Sequence, residues 1–151
     1  VQTCALPIYW PQIFASNYEY LAPLITISGF ITEGILDRYP DIRIVVAELG
    51  LDWIDQVRSA VISAGFPDPM PYLKRNFWTT CEIEDPEFKR KALAIGHDRL
   101  LFGTDFPHKD PGGMHSYNDI AKINNMLEIK ELSQEEYDKI CFVNYNFLKS
   151  R

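Results

Sequence analysis

A chain of 151 residues with 46% hydrophobic and 24% charged residues suits one globular domain and excludes a disordered chain. Its net charge of −6, with no basic tract, excludes nucleic acid and anionic membrane surfaces as natural partners. Beyond the first eighteen residues, the longest uncharged stretch, Tyr20 to Thr32, is too short for a membrane span, which needs about 20 apolar residues.

The first eight residues, "VQTCALPI", carry neither periodicity nor charge and lack the basic start of a secretory signal. Back-translated, they read through a widely used sequencing adapter, whose final T also fits the first base of the Tyr9 codon. Residues 1–8 are therefore expected to be a non-native scar, with native coding from about Tyr9. From Tyr20 to Arg38, Leu21, Leu24, Ile25, Ile31 and Ile35 recur at helical spacing, with Pro23 in the first turn and Pro40 as the stop. "IRIVVA", Ile42 to Ala47, is a short β-branched run that predicts a strand buried on both faces. "LDWIDQVRSAVISAGF" returns to helical period through Ile54, Val57, Val61 and Ala64, and Gly65 ends it.

"PDPMP" predicts a loop, and "NFWTTCEI" a second strand. Asp85 and Pro86 open a helix that places Phe88, Ala92 and Leu93 on one face and stops at Gly96. "RLLFG" predicts the third strand, followed by the loop "TDFPHKDPGGMH". Ser116 to Leu127 forms a helix through Ile120, Ile123 and Leu127. A last helix begins at "SQEE", where Ser133 and Glu136 make a capping box, and turns Tyr137, Ile140, Asn144 and Phe147 or Leu148 inward. Strands alternating with helices mean crossover units on a parallel α/β sheet. Three strands cannot close a barrel, which takes eight in the common α/β form. An open sheet with an apolar, aggregation-prone edge along Ile42–Ala47 is the expected result.

Two carboxylates stand at carboxyl ends of these strands: Glu48 directly after "IRIVVA", and Asp105 two residues after "LLFG". That edge of a parallel sheet is where ligands bind. In "TDFPH" one short loop also presents His108, and carboxylate plus imidazole suit a divalent metal or proton transfer. His115 reads as a loop residue, and His97 as a contact for the terminus of the preceding helix. Trp53 and Trp78 read as core or rim aromatics rather than substrate stackers. Cys4 falls in the scar, and Cys81 and Cys141 read as buried thiols of a reducing, cytoplasmic environment.

"GILDRYPDIRIVVAELGLDWI", "DRLLFGTDFPH" and "SQEEYDKICFVNYNFL" together resemble the amidohydrolase-related family, in the branch that includes aminocarboxymuconate-semialdehyde decarboxylase. The likeness covers nearly all of Ile13–Leu148 and corresponds to the last part of a TIM (β/α)₈ barrel of about twice this length. It implies that Ile42–Ala47, Phe77–Cys81 and Leu100–Gly103 are strands six to eight, with residues 9–151 a partial barrel whose N-terminal half lies upstream of Tyr9. Asp105 matches the eighth-strand aspartate that binds metal and accepts a proton, and His108 the histidine of the family's S-D-x-P-H stretch. Glu48 matches the sixth-strand position, but "ELGLDW" departs from the related "E-S-G-x-G-W" at Leu49 and Asp52. Its role as metal ligand, base or orienting group stays open.

The resemblance implies a metal-dependent hydrolase, with zinc as the divalent ion held by Asp105, Glu48 and upstream ligands. The substrate would be a small molecule such as a carboxylate or a cyclic or aromatic compound. A decarboxylase on the same scaffold and a non-catalytic barrel without its metal are the alternatives. A homo-oligomer is open for the whole protein. With an incomplete ligand set, this chain alone is expected to be inactive and to bind metal weakly.

Overall fold

The computed structural model describes residues 12–81, 83, 88–103 and 117–150. Three strands, β1 (Ile44–Val46), β2 (Phe77–Cys81) and β3 (Leu100–Phe102), form one sheet in the order β1-β2-β3. Both pairs are parallel, with Val46 opposite Thr79, Thr79 opposite Leu100 and Cys81 opposite Phe102. The helices are α1 (Gln12–Thr32), α2 (Ile35–Arg38), α3 (Asp52–Ser63), α4 (Met70–Asn76), α5 (Phe88–Ile95), α6 (Tyr117–Glu128), α7 (Gln134–Asp138) and α8 (Asn144–Lys149). A 3₁₀ turn, His97–Arg99, leads into β3, and a π turn, Lys139–Val143, joins α7 to α8. The alternation of strand and helix is as the hydrophobic periods predict, and so are the three strands.

One face of the sheet carries the core. Ile44, Val46, Phe77, Cys81, Leu100 and Phe102 meet Trp53, Ile54, Val57 and Val61 of α3 and Phe88, Ala92 and Ile95 of α5. The Trp53 and Phe77 rings lie 5.9 Å apart. Alternation sends Val45, Trp78, Thr80 and Leu101 to the opposite face. There Arg99 lies 4.5 Å over the Trp78 ring, and Phe147 of α8 stands 5.8 Å from it. Val45 is 48% exposed. The expectation that Ile42–Ala47 is buried on both faces is therefore wrong for this chain. The strand is shorter, it forms an edge, and its outward residue, Val45, is left half exposed. An open apolar edge was expected, and this is it.

Several boundaries differ from the periodic reading. The helix predicted over Tyr20–Arg38 is two helices, because Gly34 takes a left-handed backbone at φ 68° and ends the first. The first helix also starts earlier, so Pro23 lies in its interior rather than its first turn. "PDPMP" is loop only up to Pro69; Met70–Asn76 is a helix, with Pro71 in its opening turn where no N–H is needed. On α5, Leu93 is 71% exposed and Lys91 is buried instead. Ala64 and Ile120 are likewise on the surface, whereas Ile123, Ile140 and Asn144 are buried as their spacing predicts. The Asp85–Pro86 helix start lies outside the described residues.

The capping box holds as read. The Glu136 N–H donates to Ser133 Oγ at 3.2 Å, and the Ser133 N–H donates to Glu136 Oε2 at 2.8 Å. His97 Nδ1 stands 3.3 Å from Glu136 Oε1, so this imidazole meets the start of α7 rather than the end of the preceding helix. Hydrogen bonds from the Ser133 backbone and side chain, aided by His97 and Lys139, hold the Glu136 carboxyl below the usual glutamate range. A lowered folded pKa stabilises in full above the unfolded value of about 4.3 and stops doing so below the folded value. Glu136→Gln should therefore flatten the acid limb of the stability profile, read by thermal melts between neutral and strongly acidic pH. An unchanged acid limb would count against the box as a source of acid sensitivity.

Two buried asparagines tie the amino ends of the edge strands. Asn76 Nδ2 donates to Pro40 O and Ile42 O, both at 2.8 Å, ahead of β1. Asn144 Nδ2 donates to His97 O at 2.8 Å and Leu100 O at 2.7 Å, at the start of β3. Arg43 then anchors the end of α8, donating to Phe147 O and Ser150 O while lying 4.3 Å over the Phe147 ring. No helix among the described residues is long and apolar enough to cross a membrane.

Candidate active-site rim

Because β1, β2 and β3 run parallel, their carboxyl ends share one edge. Glu48 lies two residues past Val46, which pairs with Thr79; Phe102 pairs with Cys81, two residues past Thr79. Glu48 and the end of β3 therefore stand at about the same height, separated by two strand spacings, or roughly 10 Å. Asp105, His108 and His115 lie outside the described residues. What the sheet establishes is that the chain leaves β3 toward the edge where Glu48 stands.

The Glu48 side chain is exposed, and its backbone is left-handed at φ 63°. Lys130 has a similar φ of 60°, but it terminates α6, where such a conformation closes the helix. Glu48 ends a strand, and no helix explains it. A non-glycine residue held this way costs of order 1 kcal/mol and persists where surrounding contacts impose it. Two adjacent threonines of β2 supply those contacts. Thr80 Oγ1 accepts the Glu48 N–H at 3.1 Å on one face of the sheet. On the other face, Thr79 Oγ1 accepts the Trp53 indole N–H at 3.1 Å and lies 3.3 Å from Gly50 O, as its donor. Buried Leu49 and Leu51 on either side of Gly50 complete the turn.

Glycine at position 48 should relieve the backbone. We expect Glu48→Gly to raise stability by about 0.5–1 kcal/mol, read as a higher urea midpoint, because only glycine adopts this φ without strain. A lower midpoint would show that the carboxylate itself stabilises the turn.

Asp52, the departure from the related motif, opens α3 and pairs with Lys91 of α5, Oδ1 to Nζ 2.6 Å. Lys91 is buried, so this pair ties the helix after Glu48 to the helix after β2. Periodicity missed both Lys91 and the threonine pair; the signal available for the latter was two hydroxyl residues side by side at a strand end. Trp53 and Trp78 are both buried, as read. Cys81 is buried, whereas Cys141 is half-buried, with its thiol pushed up by burial. A groove of about 310 Å³ lined by Phe88, Lys89, Lys122, Met126 and Glu131 lies on the helical side of the sheet. Its Lys89 and Glu131 pair with each other at 3.2 Å.

Glu48 offers a hard oxygen donor, the kind a divalent cation takes. Among the described residues, no cluster of three or more His, Cys, Asp or Glu can hold a metal ion. The fit therefore rests on what Asp105 and His108 add to a single rim carboxylate.

These features define an α/β protein in which the carboxyl ends of three parallel strands share one rim. The chain matches the amidohydrolase family over residues 22–144. Among solved structures it is similar to the amidohydrolase map2389c from Mycobacterium avium subsp. paratuberculosis K-10, with a TM-score of 0.69 and 28% identity. That alignment covers 85% of this chain and 33% of the other. It also shares its fold with IDCase from Metarhizium anisopliae in apo form, at a TM-score of 0.60 and 19% identity, covering 83% of this chain and 38% of that one. No curated protein matches it. The chain thus belongs to the amidohydrolase family, whose fold is the TIM barrel, and spans about a third of the length of these solved relatives.

Proposed function

We propose that this chain supplies strands six to eight of a metal-dependent hydrolase barrel, and that residues 1–8 are no part of it. In this reading Asp105 and Glu48 contribute oxygen donors for a divalent ion, zinc in the cell, while His108 exchanges protons at the same rim. When bound, such an ion supplies Lewis acidity toward a substrate oxygen. Asp105 would hold the proton removed from the attacking water. The substrate is a small molecule that reaches the rim, and the setting is the reducing cytoplasm that suits the thiols Cys81 and Cys141.

The observation that carries the reading is the exposed Glu48 carboxylate, on a left-handed backbone, at the same rim as the carboxyl end of β3. The coverage of only 33% of map2389c and the uncovered face around Val45 support further chain closing the barrel. So does the buried Trp78 Nε1, which has no hydrogen-bond partner among the described residues. An orphan buried donor of this kind points to a group from elsewhere.

Manganese tests the site in the chain itself. Sub-stoichiometric Mn²⁺ should broaden the NMR resonances of Glu48, Asp105 and His108 before those of Asp37, Asp41 or Glu128. Broadening spread evenly over the acidic surface would remove the site. For the reaction class, the assembled barrel should add water to its substrate, and release of CO₂ without hydrolysis would replace the hydrolase with a decarboxylase.

A further inference from the structure

We infer that Thr80 is a positioning residue for Glu48: its hydroxyl captures the Glu48 N–H and so fixes the direction in which the carboxylate leaves the rim. This deepens the proposed function and rests on it only for the claim that Glu48 serves the site. The geometry stands by itself. A parallel edge strand that continued past Val46 in extended form would point the Glu48 N–H and side chain along the ordinary alternation. With the Glu48 N–H held on Thr80 Oγ1 at 3.1 Å, the turn to φ 63° swings the side chain out of that alternation.

Thr80 is placed for this by parity. Thr79 faces the core and serves Trp53, while Thr80 lies half-buried on the opposite face, the side from which Glu48 is held. A Cβ built on Gly103 would lie 3.8 Å from Thr80 Cβ. The one side chain therefore stands between the strand end bearing Glu48 and the strand end leading to Asp105. A valine here would keep the shape and the packing but lose the acceptor.

The test uses the full chain and two substitutions, Thr80→Val and Thr80→Ser. In the unsubstituted protein, Glu48 should give the strong intraresidue HN–Hα cross-peak of a positive φ, and its amide should exchange slowly although it lies beyond β1. Thr80→Val should weaken that cross-peak and speed exchange of the Glu48 amide about tenfold, the worth of one hydrogen bond. Thr80→Ser should restore both. Mn²⁺ broadening should fall several-fold at Glu48 in Thr80→Val yet persist at Asp105.

If Thr80→Val leaves the cross-peak and exchange as they were, the positioning role is overturned, whatever Mn²⁺ does. If both respond but Mn²⁺ never reaches Glu48 in the unsubstituted chain, the site reading fails and the conformational role of Thr80 stands. Should Thr80→Val not fold, rapid exchange of the Glu48 amide in the unsubstituted or Thr80→Ser protein is by itself enough to overturn the proposal.

Discussion

Replacing Asn144 with alanine should lower the stability of the fold by about 3 kcal/mol, because one buried and one part-buried carbonyl lose their donor at once. The Asn144 amide lies between His97 O and Leu100 O, at 2.8 and 2.7 Å, and the residue is buried in α8. Each unsatisfied buried acceptor costs roughly 1–3 kcal/mol, and the truncated side chain adds a small void. The bond pair also carries a topological load: it fastens the last helix to the amino end of β3, the strand that leads to Asp105. Urea unfolding followed by far-UV circular dichroism gives the number. Asn144→Asp is the informative companion, since it keeps the shape but turns oxygens toward two carbonyls, and it should fare no better than alanine. A loss under about 1 kcal/mol in both variants would mean water replaces the amide, and that α8 is docked by its apolar contacts alone.

The second large effect concerns the rim. Asp105→Asn should weaken Mn²⁺ binding by at least tenfold, measured by relaxation at Glu48 and His108, because an amide offers neither the charge nor the second strong oxygen of a carboxylate. Glu48→Gln should do the same if Glu48 is a ligand. The comparison resolves the role that the motif leaves open. Equal losses in the two variants make both carboxylates ligands, whereas a loss confined to Asp105→Asn makes Glu48 a base or an orienting group. Retention of binding by both variants would detach the metal from this edge altogether. Because only one candidate donor lies among the described residues, the starting affinity is expected to be weak, and the ratios carry the argument rather than the absolute values.

The three strands were legible because each is a short β-branched or aromatic run between turn signals, and parallel pairing followed from the intervening helices. The capping box at Ser133 was legible residue by residue, since its chemistry is local and needs only a four-residue span. The helix Met70–Asn76 was hidden behind the prolines of "PDPMP", because proline is a breaker inside a helix but an acceptable opener. The break at Gly34 was hidden because the apolar period runs on through Ile35, and only the left-handed turn itself shows where the chain bends. Leu93 was misplaced because it lies five residues after Phe88, off the face that Phe88, Lys91, Ala92 and Ile95 share at helical spacing.

At the rim the division is sharper. The sequence offers Glu48 and Asp105 as candidates, because a carboxylate after an apolar run is visible as a pattern. The positive φ of Glu48 and its bond to Thr80, 32 residues away, could not be found that way.

By itself, then, the order of residues determined which segments become strand or helix, where one helix is capped, and which family the chain joins, since local chemistry and periodicity suffice for these. Tertiary structure alone decided that β1 is a half-bare edge, that Asn76 and Asn144 close the sheet's amino end, and that Thr80 holds Glu48 in a left-handed turn. Each of those depends on groups distant in sequence meeting across strands, where burial and hydrogen bonding outweigh any local preference.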